Sequence, residues 1–291
     1  MRVPAPATIL ELLKPVTWFP PMWAFGCGVV SAGASVFDHW ALALVGVAVA
    51  GPLVCGTSQA ANDWFDRKVD AINEPQRPIP SGRMPGRWGL YIAIAWTAIS
   101  LLAATALGEL GFLAAAFGLA LAWAYSAPPL RLKRNGWWGN AACGLCYEGL
   151  PWITGWAVMS ATSASPAHAL ALAALYSAGA HGIMTLNDFK SIEGDSQLGI
   201  RSLPVILGAQ GAARVACAVM AVPQFAVVAL LVSWERPVHA AWVAALLAAQ
   251  LVLMRRFLRE PRRYAIWYSA LGVTLYVSGM LISAFALRLG A

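Results

Sequence analysis

The sequence predicts an all-α polytopic membrane protein in which about nine transmembrane helices surround a central cavity. Of its 291 residues, 59% are hydrophobic and only 11% are charged, whereas a soluble domain carries about 25% charged residues. The apolar residues form long runs, and the basic residues are concentrated between alternate runs. This composition excludes a soluble, disordered, collagen-like or disulfide-stapled chain, because such an apolar excess needs a lipid environment.

Nine apolar runs give the predicted helices, and together they form one integral-membrane domain over residues 1–291. Each run has roughly the 20 residues that a helix needs to cross the hydrocarbon core of a bilayer. Only a tight turn at residues 108–111 separates the third run from the fourth. The runs cover residues 17–37, 41–61, 88–107, 111–127, 139–160, 167–186, 211–233, 237–254 and 265–287.

The basic residues predict the orientation of these helices. All of them except Arg236 and Arg288 fall on one set of alternate connections. Cytoplasmic loops carry the excess of lysine and arginine, so this pattern places the N-terminus in the cytoplasm and the C-terminus outside. Topology thereby explains the net charge of +7, and no nucleic-acid partner is expected. We also expect no cleavable signal peptide, and we expect the five cysteines to be packing residues.

Two acidic elements lie where the second and sixth predicted helices end. The first covers residues 62–70 and the second covers residues 187–195. Each opens with Asn-Asp-aromatic and is followed by Arg-x-x-Pro, which begins at Arg77 in the first case and at Arg201 in the second. The matched spacing indicates a weak internal repeat, with two similar half-sites at the cytoplasmic mouths of two helices.

The first acidic element predicts a site for magnesium and phosphate. If the helix continues through Asp70, then Asp63, Asp66 and Asp70 lie on one face at i, i+3 and i+7. Three like charges repel, so a cation is expected, and oxygen ligands favour Mg²⁺ over Zn²⁺. Substrate phosphates commonly complete a magnesium site, and basic side chains bind their remaining oxygens. The basic candidates are Arg67, Lys68, Arg77, Lys190 and Arg201.

Three features of the chain occur together: the pattern Asn-Asp-x-x-Asp-x-x-x-Asp, the second acidic element four helices later, and the nine apolar runs. In these features the chain resembles the UbiA superfamily of intramembrane aromatic prenyltransferases. Residues 70–82, 125–133 and 187–195 are similar to the chlorophyll synthase branch. Residues 14–23 resemble the bacteriochlorophyll synthases of purple bacteria. The resemblance covers nearly the whole chain.

The resemblance implies esterification of the propionate of bacteriochlorophyllide by geranylgeranyl or phytyl diphosphate, with release of diphosphate. It also implies a bacterial inner membrane, cytoplasmic or intracytoplasmic, and other pigment-biosynthesis membrane proteins as partners. A carboxylate acceptor is already ionised near pH 7, so no protein general base is expected. Within the family, the alternatives are chlorophyllide as the acceptor or a haem or quinone prenyltransferase.

The resemblance further implies a magnesium cofactor, with two ions per site, and the residues that hold it. Tyr125 and Lys133 match a segment that lines the diphosphate site in the family. Ser191 stands where many members have an aspartate, so the second metal site has either Asp188 and Asp195 alone or Glu193 as a substitute ligand. The metal candidates, whose five aspartates are also the catalytic candidates, are Asn62, Asp63, Asp66, Asp70, Asp188, Glu193 and Asp195.

Three polar residues in apolar runs are candidates for the tetrapyrrole or tail pocket. Glu148 lies about 14 Å into the membrane by helical rise, where an ionisable side chain predicts a function. It stays protonated, pairs with a cation or faces the tetrapyrrole. His181 either ligates the central magnesium of the pigment or is a hydrogen-bonded core histidine, and Tyr147 is the third candidate. The aromatic candidates for cation–π stabilisation of an allylic cation are Trp64, Phe65, Tyr147 and Phe189.

Two other classes of protein are alternatives. A transporter for a divalent cation or an anion would also have many spans and intramembrane charge. However, both acidic elements lie on one predicted side of the membrane, whereas coupling sites usually lie near the midplane. A scaffold that only carries pigment would not need two acidic elements.

Overall fold

The computed structural model of the chain describes residues 3–159 and 165–288, which are almost entirely helical. Within these two ranges there is no β-strand, and the one isolated bridge pairs Asn135 with Arg201. The all-α prediction is therefore confirmed. The α-helices are α1 (Pro6–Leu13), α2 (Phe19–Ser31), α3 (Trp40–Ala48), α4 (Gly56–Asn73), α5 (Trp88–Ala104), α6 (Gly108–Ser126), α7 (Gly136–Gly144), α8 (Leu150–Met159), α9 (Pro166–Asp188), α10 (Ile192–Gln197), α11 (Leu203–Ser233), α12 (Pro237–Arg259) and α13 (Pro261–Arg288).

Six helical stretches of the described residues are long and apolar enough to cross a membrane. The prediction of an integral membrane protein is confirmed, whereas the count of nine spans is not. The six stretches are Trp40–Asn73, Trp88–Ser126, Pro166–Asp188, Leu203–Ser233, Pro237–Arg259 and Pro261–Arg288.

The difference in number arises at four of the predicted runs. The run at residues 17–37 contains α2, whose 13 residues span about 20 Å, less than the bilayer core of about 30 Å. The run at residues 139–160 forms α7 and α8 with a π segment between them, and it is not among the six stretches. The third and fourth runs form one helical stretch that is interrupted at Gly108, where φ is 75°. Glycine adopts a positive φ without steric cost, so the chain turns there between α5 and α6.

Two π-helical segments interrupt the α-helices of the bundle. Val49–Cys55 joins α3 to α4, and Leu145–Gly149 joins α7 to α8. Pro52 lies within the first segment. Because proline has no N–H and its ring clashes with the preceding turn, regular α-helical bonding is broken there. Such wider turns are frequent beside functional sites, and both segments contribute to the cavity described below.

Polar side chains inside the C-terminal half of the bundle bond to one another. Gln224 of α11 donates to Gln250 of α12 at 2.5 Å, and Gln250 donates to the carbonyl of Gly272 in α13 at 2.8 Å. The Tyr276 hydroxyl of α13 donates to the carbonyl of Tyr176 in α9 at 2.6 Å. An unpaired polar group is costly in lipid. These hydrogen bonds therefore help to fix the four helices relative to one another.

The loops that carry most of the basic residues meet at one end of the bundle. Lys14, which follows α1, contacts Asp63 near the end of α4. Arg134, which follows α6, pairs through its backbone with Arg201, which precedes α11. The arginine-rich corner between α12 and α13 lies against the start of α11. The structure thus brings together the basic loops that the sequence assigns to one side of the membrane.

Candidate active site

A cavity of about 890 Å³ lies between the ends of α4 and α9 and extends into the bundle. We call it the central cavity. Its lining is charged near α10 and the adjoining loops, and it is mostly small and apolar where the π segments and α6 contribute. Such a cavity suits a molecule with an anionic head and an apolar tail. Its charged and amide side chains near the mouth are Asn62, Asp66, Asp70, Asn73, Glu74, Arg77, Lys133, Asn140, Asn187, Asp188, Lys190, Glu193, Asp195 and Gln197.

The first acidic element lies on the last turns of α4, and its side chains divide into two groups. Asn62, Asp66 and Asp70 line the central cavity at intervals of one helical turn. Asp63 is turned aside and only 1% exposed. Its Oδ1 accepts from Lys14 Nζ at 2.6 Å and lies 3.4 Å from Arg77 Nη1. The structure therefore places two of the three predicted aspartates in the cavity, and it places Asp63 in a buried ion pair beside it.

Asp66 and Asp70 are each held by basic side chains. Asp66 bonds to Lys133, and its other oxygen accepts from Arg131 at 3.1 Å. Arg77 donates to Asp70 at 2.9 Å. Burial lowers the pKa of the Lys133 ammonium, against the opposing effect of the Asp66 carboxylate. Cations are thus already in place around the carboxylates, where they can also meet an anionic ligand.

The second acidic element is held from α7 and from its own loop. Asp188, the last residue of α9, accepts from the Asn140 side chain at 3.2 Å. Ser191 donates to Asp195 at 3.0 Å, so this serine orients the next carboxylate of the element. Burial raises the pKa of the Asp195 carboxyl. Glu193 is exposed and also lines the cavity.

A short backbone bridge joins the loops of the two half-sites. Gly136 N donates to the carbonyl of Arg201 at 2.9 Å, and Arg201 N donates to the carbonyl of Arg134 at 2.9 Å. The Asn135 side chain accepts from the first amides of α7 and caps that helix. A Cβ at Gly136 would lie 2.6 Å from Leu203 N, so only glycine permits this approach. Sequence reasoning missed Asn135, Gly136 and Asn140, although Asn-Gly before an apolar run signals a turn and a helix start.

The predicted phosphate ligands also divide into two groups. Four of them, Tyr125, Lys133, Lys190 and Arg77, line the central cavity. The other three, Arg67, Lys68 and Arg201, are absent from its described lining. Lys68 and Arg201 are exposed, and the Arg67 guanidinium stacks on the Trp64 ring at 4.2 Å.

The aromatic candidates are distributed differently from the expectation. Phe65 and Phe189 pack edge-on against other rings, with centroids 6.2 and 5.6 Å apart. Trp64 supports a guanidinium instead. Tyr147 does line the central cavity, where its hydroxyl accepts from Gln59 at 3.2 Å. Tyr125 and Tyr147 are therefore the rings that a ligand in the cavity would meet.

The two deep polar candidates lie outside the central cavity. Glu148 is 3% exposed, and its Oε2 has no hydrogen-bond partner among the described residues. His181 lines a separate, largely apolar cavity of about 600 Å³ on the other side of α7, which we call the lateral cavity. Its ring lies 5.6 Å from that of Trp137. The structure thus brings neither residue to the acidic elements.

The donor set of the central cavity fits magnesium diphosphate. Carboxylate and amide oxygens are the ligands that Mg²⁺ prefers, and both acidic elements supply them around one space. Within residues 3–159 and 165–288, no three carboxylate, histidine or cysteine side chains are close enough to hold a metal ion by themselves. Asp66, Asp70, Asp188 and Asp195 contact basic or polar side chains instead. Such a set suits a metal whose coordination substrate phosphates complete.

A helical membrane bundle with two acidic elements around one amphiphilic cavity defines an integral membrane protein with a space suited to an anionic, apolar-tailed ligand. Residues 19–285 match the UbiA prenyltransferase family. The chain belongs to this family and is a prenyltransferase.

Relatives with high identity extend along nearly the whole chain. It is 58% identical over 286 residues to the bacteriochlorophyll synthase 33 kDa chain of Cereibacter sphaeroides, covering 98% of this chain and 94% of the relative. It is 55% identical to the Rhodobacter capsulatus protein of the same name, covering 98% and 95%. The chloroplastic chlorophyll synthase of Oryza sativa is 38% identical, covering 95% and 76%.

Solved structures of lower identity share the fold. A UbiA homolog from Archaeoglobus fulgidus, bound to DMAPP and Mg²⁺, superposes with a TM-score of 0.71 at 20% identity. The match covers 98% of this chain and 100% of the other. The same homolog bound to GPP and Mg²⁺ gives a TM-score of 0.72. The all-helical UbiA fold of this chain is thereby confirmed.

Proposed function

We propose that this protein transfers a geranylgeranyl or phytyl group from its diphosphate to the propionate carboxylate of bacteriochlorophyllide, and releases diphosphate. The observation that carries the proposal is the central cavity, whose charged mouth continues into an apolar interior. An isoprenoid diphosphate has the same two-part character. The identity of 55–58% with two bacteriochlorophyll synthase chains supports the choice of acceptor.

The two acidic elements are the proposed holders of magnesium, with two ions per site. Asn62, Asp66 and Asp70 would serve from one side, and Asp188 and Asp195 from the other. When bound, Mg²⁺ supplies neutralisation of charge on the departing diphosphate. Glu193 is exposed at the same mouth, where it is the proposed substitute for the aspartate that Ser191 replaces.

Basic side chains complete the proposed diphosphate site. Arg77 contacts Asp70, and Lys133 contacts Asp66. Both cations are therefore within reach of phosphate oxygens that bind beside these carboxylates. Lys190 and Tyr125 line the same space. Oriented cations stabilise the charge that develops on the leaving group as the allylic bond breaks.

The apolar part of the cavity has a second proposed task, which is to keep water from the allylic cation. Water competes with the acceptor carboxylate, and a closed apolar chamber excludes it. The acceptor carboxylate is ionised near neutral pH. The chain's residues therefore need only to bind and orient it, without removing a proton.

The membrane arrangement belongs to the same proposal. Nine spans, a cytoplasmic N-terminus and a periplasmic C-terminus would place the cavity mouth in the cytoplasm of a bacterial inner membrane. The clustering of basic loops at one end of the bundle supports this orientation. Other membrane proteins of pigment biosynthesis are proposed neighbours.

The test is an esterification assay on membranes that contain this chain, with Asp66→Ala membranes as the matched control. Geranylgeranyl diphosphate is offered with bacteriochlorophyllide or chlorophyllide, first with Mg²⁺ and then with a chelator. We expect a magnesium-dependent ester that forms faster with bacteriochlorophyllide and is absent in the control. Faster ester formation with chlorophyllide would overturn the choice of acceptor. Prenylation of a quinone precursor or haem instead would overturn the whole branch assignment.

A further inference from the structure

A small apolar cavity of about 40 Å³ lies directly beyond the apolar end of the central cavity. We call it the terminal cavity. Four residues line both spaces and therefore form the partition between them. Two come from the first π segment, one from α6 and one from the second π segment. These partition residues are Ala50, Val54, Gly118 and Cys146.

The lateral cavity has no such continuity. It shares no lining residue with the central cavity. Trp137, Ala141 and Leu145 line the lateral cavity, while Gly139 and Cys143 line the central one. Residues four apart share a helical face, so α7 is the wall between these two spaces. Of the lateral and terminal cavities, only the terminal cavity shares lining residues with the central cavity and so continues the route that begins at the charged mouth.

The lining of the terminal cavity is almost entirely apolar. The Phe25 ring, 1% exposed, lines it at the side of α2 and contacts Gly46 of α3. The hydroxyl of Thr154 donates to the carbonyl of Leu150 at 2.7 Å, so this polar group is already satisfied. A space lined by apolar side chains and without unpaired polar groups favours hydrocarbon over water.

We propose that the terminal cavity receives the far end of the isoprenoid tail, and that Gly118 and Phe25 set the length of the donor. This inference rests on the proposed function, because it assumes that an isoprenoid diphosphate occupies the central cavity. Of the four partition residues, Gly118 is the one without a side chain, so it sets how wide the passage between the two cavities is. Phe25 is the end wall.

The space at Gly118 makes the residue a sensitive position. A Cβ there would lie 3.7 Å from both Leu150 and Val54, which is ordinary contact distance. One methyl group is therefore accommodated, whereas a branched side chain would fill the passage between these neighbours. A tail that ends before the partition would not meet the added atoms, and a tail that crosses it would.

The test measures kcat/KM with geranyl, farnesyl and geranylgeranyl diphosphates at a fixed acceptor concentration, in wild type, Gly118→Leu and Ala178→Leu. Ala178 lines the lateral cavity and is the matched control, since it receives the same new side chain at a position outside the proposed route. For Gly118→Leu we expect the ratio of kcat/KM for geranylgeranyl over geranyl diphosphate to fall by about tenfold or more. The ratio should not change in Ala178→Leu.

The outcomes separate the inference from the proposed function. If wild type turns over no isoprenoid diphosphate, the proposed function fails. If wild type is active but Gly118→Leu loses activity equally with all three donors, or if Ala178→Leu shifts the ratio instead, the tail does not enter the terminal cavity and the inference is overturned.

If the Gly118→Leu protein does not accumulate in the membrane, a second variant tests the inference. Phe25→Leu shortens the end wall, so the relative kcat/KM for a donor one isoprene unit longer than geranylgeranyl diphosphate should rise. Unchanged donor ratios in a Phe25→Leu protein that turns over geranylgeranyl diphosphate would contradict the role of Phe25 and of the terminal cavity.

Discussion

Asp63 and Asp66 lie three residues apart on α4, and their surroundings differ in kind. Asp63 is buried against Lys14, while Asp66 lines the central cavity with Lys133 and Arg131 beside it. Asp63 is paired through Oδ1 with Lys14 and Arg77, and its buried Oδ2 has no hydrogen-bond partner among the described residues. The ion pair joins the end of α4 to the segment after α1 and so stabilises the fold there. A carboxylate at a cavity wall is available to a ligand. The two residues should therefore respond differently to substitution.

Removing a cavity carboxylate should abolish turnover. We expect Asp66→Ala and Asp188→Ala each to lower kcat/KM by at least about 100-fold, the cost of losing one oriented electrostatic group at a reacting centre. The esterification assay measures this, and the amount of protein in the membrane fraction shows that insertion is unaffected. Magnesium-dependent turnover retained by both variants would contradict the paired acidic site.

Removing the partner of Asp63 should affect stability first. Lys14→Met leaves a carboxylate that is 1% exposed without its nearest cation, and breaking a buried ion pair costs about 3–5 kcal/mol. We expect a lower melting temperature in detergent for Lys14→Met. The double variant Lys14→Met, Asp63→Asn should recover part of the loss, because no buried charge is left unpaired. Equal melting temperatures for Lys14→Met and wild type would show that the pair does not stabilise the fold.

At the scale of the elements, the bridge between the loops before α7 and α11 holds the two half-sites together. It brings the loop that carries Lys133 to the loop that follows the second acidic element. The bridge has only two backbone hydrogen bonds, so its geometry depends on how closely the two loop segments approach each other. Gly136 sets that approach.

We expect Gly136→Ala to raise the KM for the diphosphate donor by a larger factor than the factor by which it lowers the yield of folded protein. The added Cβ would lie 2.6 Å from Leu203 N, so one loop must shift, at an overpacking cost of about 1–3 kcal/mol. Gly26→Ala is the matched control, because a Cβ at Gly26 has nothing within 4 Å. A Gly136→Ala enzyme with the KM of wild type would show that the bridge does not position the diphosphate site.

The sequence predicted the helices better than their interruptions. Apolar runs locate helices because each turn in lipid needs apolar side chains, but they do not report the hydrogen-bond register that changes at Val49–Cys55 and Leu145–Gly149. Helical periodicity placed Asp66 and Asp70 on one face. It could not show that Asp63 turns to Lys14, since that contact depends on how α1 docks 49 residues away. Nor could the sequence show that Asn140 contacts Asp188, since that contact depends on how α7 packs against α9.

At the scale of the whole molecule, the arrangement of charge predicts how the bundle lies in the membrane. The acidic elements, their cations and the basic loops occupy one end. An excess of lysine and arginine marks the cytoplasmic side, so this end should face the cytoplasm. Both substrates would then enter from that side or from the lipid.

Labelling of single cysteines tests the orientation. The five native cysteines are buried or half-buried and would first be replaced by alanine. Ser196→Cys, at an exposed position in α10, and His239→Cys, at a half-buried position at the start of α12, then place one thiol at each end of the bundle. With a membrane-impermeant maleimide on intact spheroplasts, we expect His239→Cys to label at once and Ser196→Cys only after permeabilisation. The reverse pattern would put the cavity mouth in the periplasm, where a cytoplasmic diphosphate donor could not reach it.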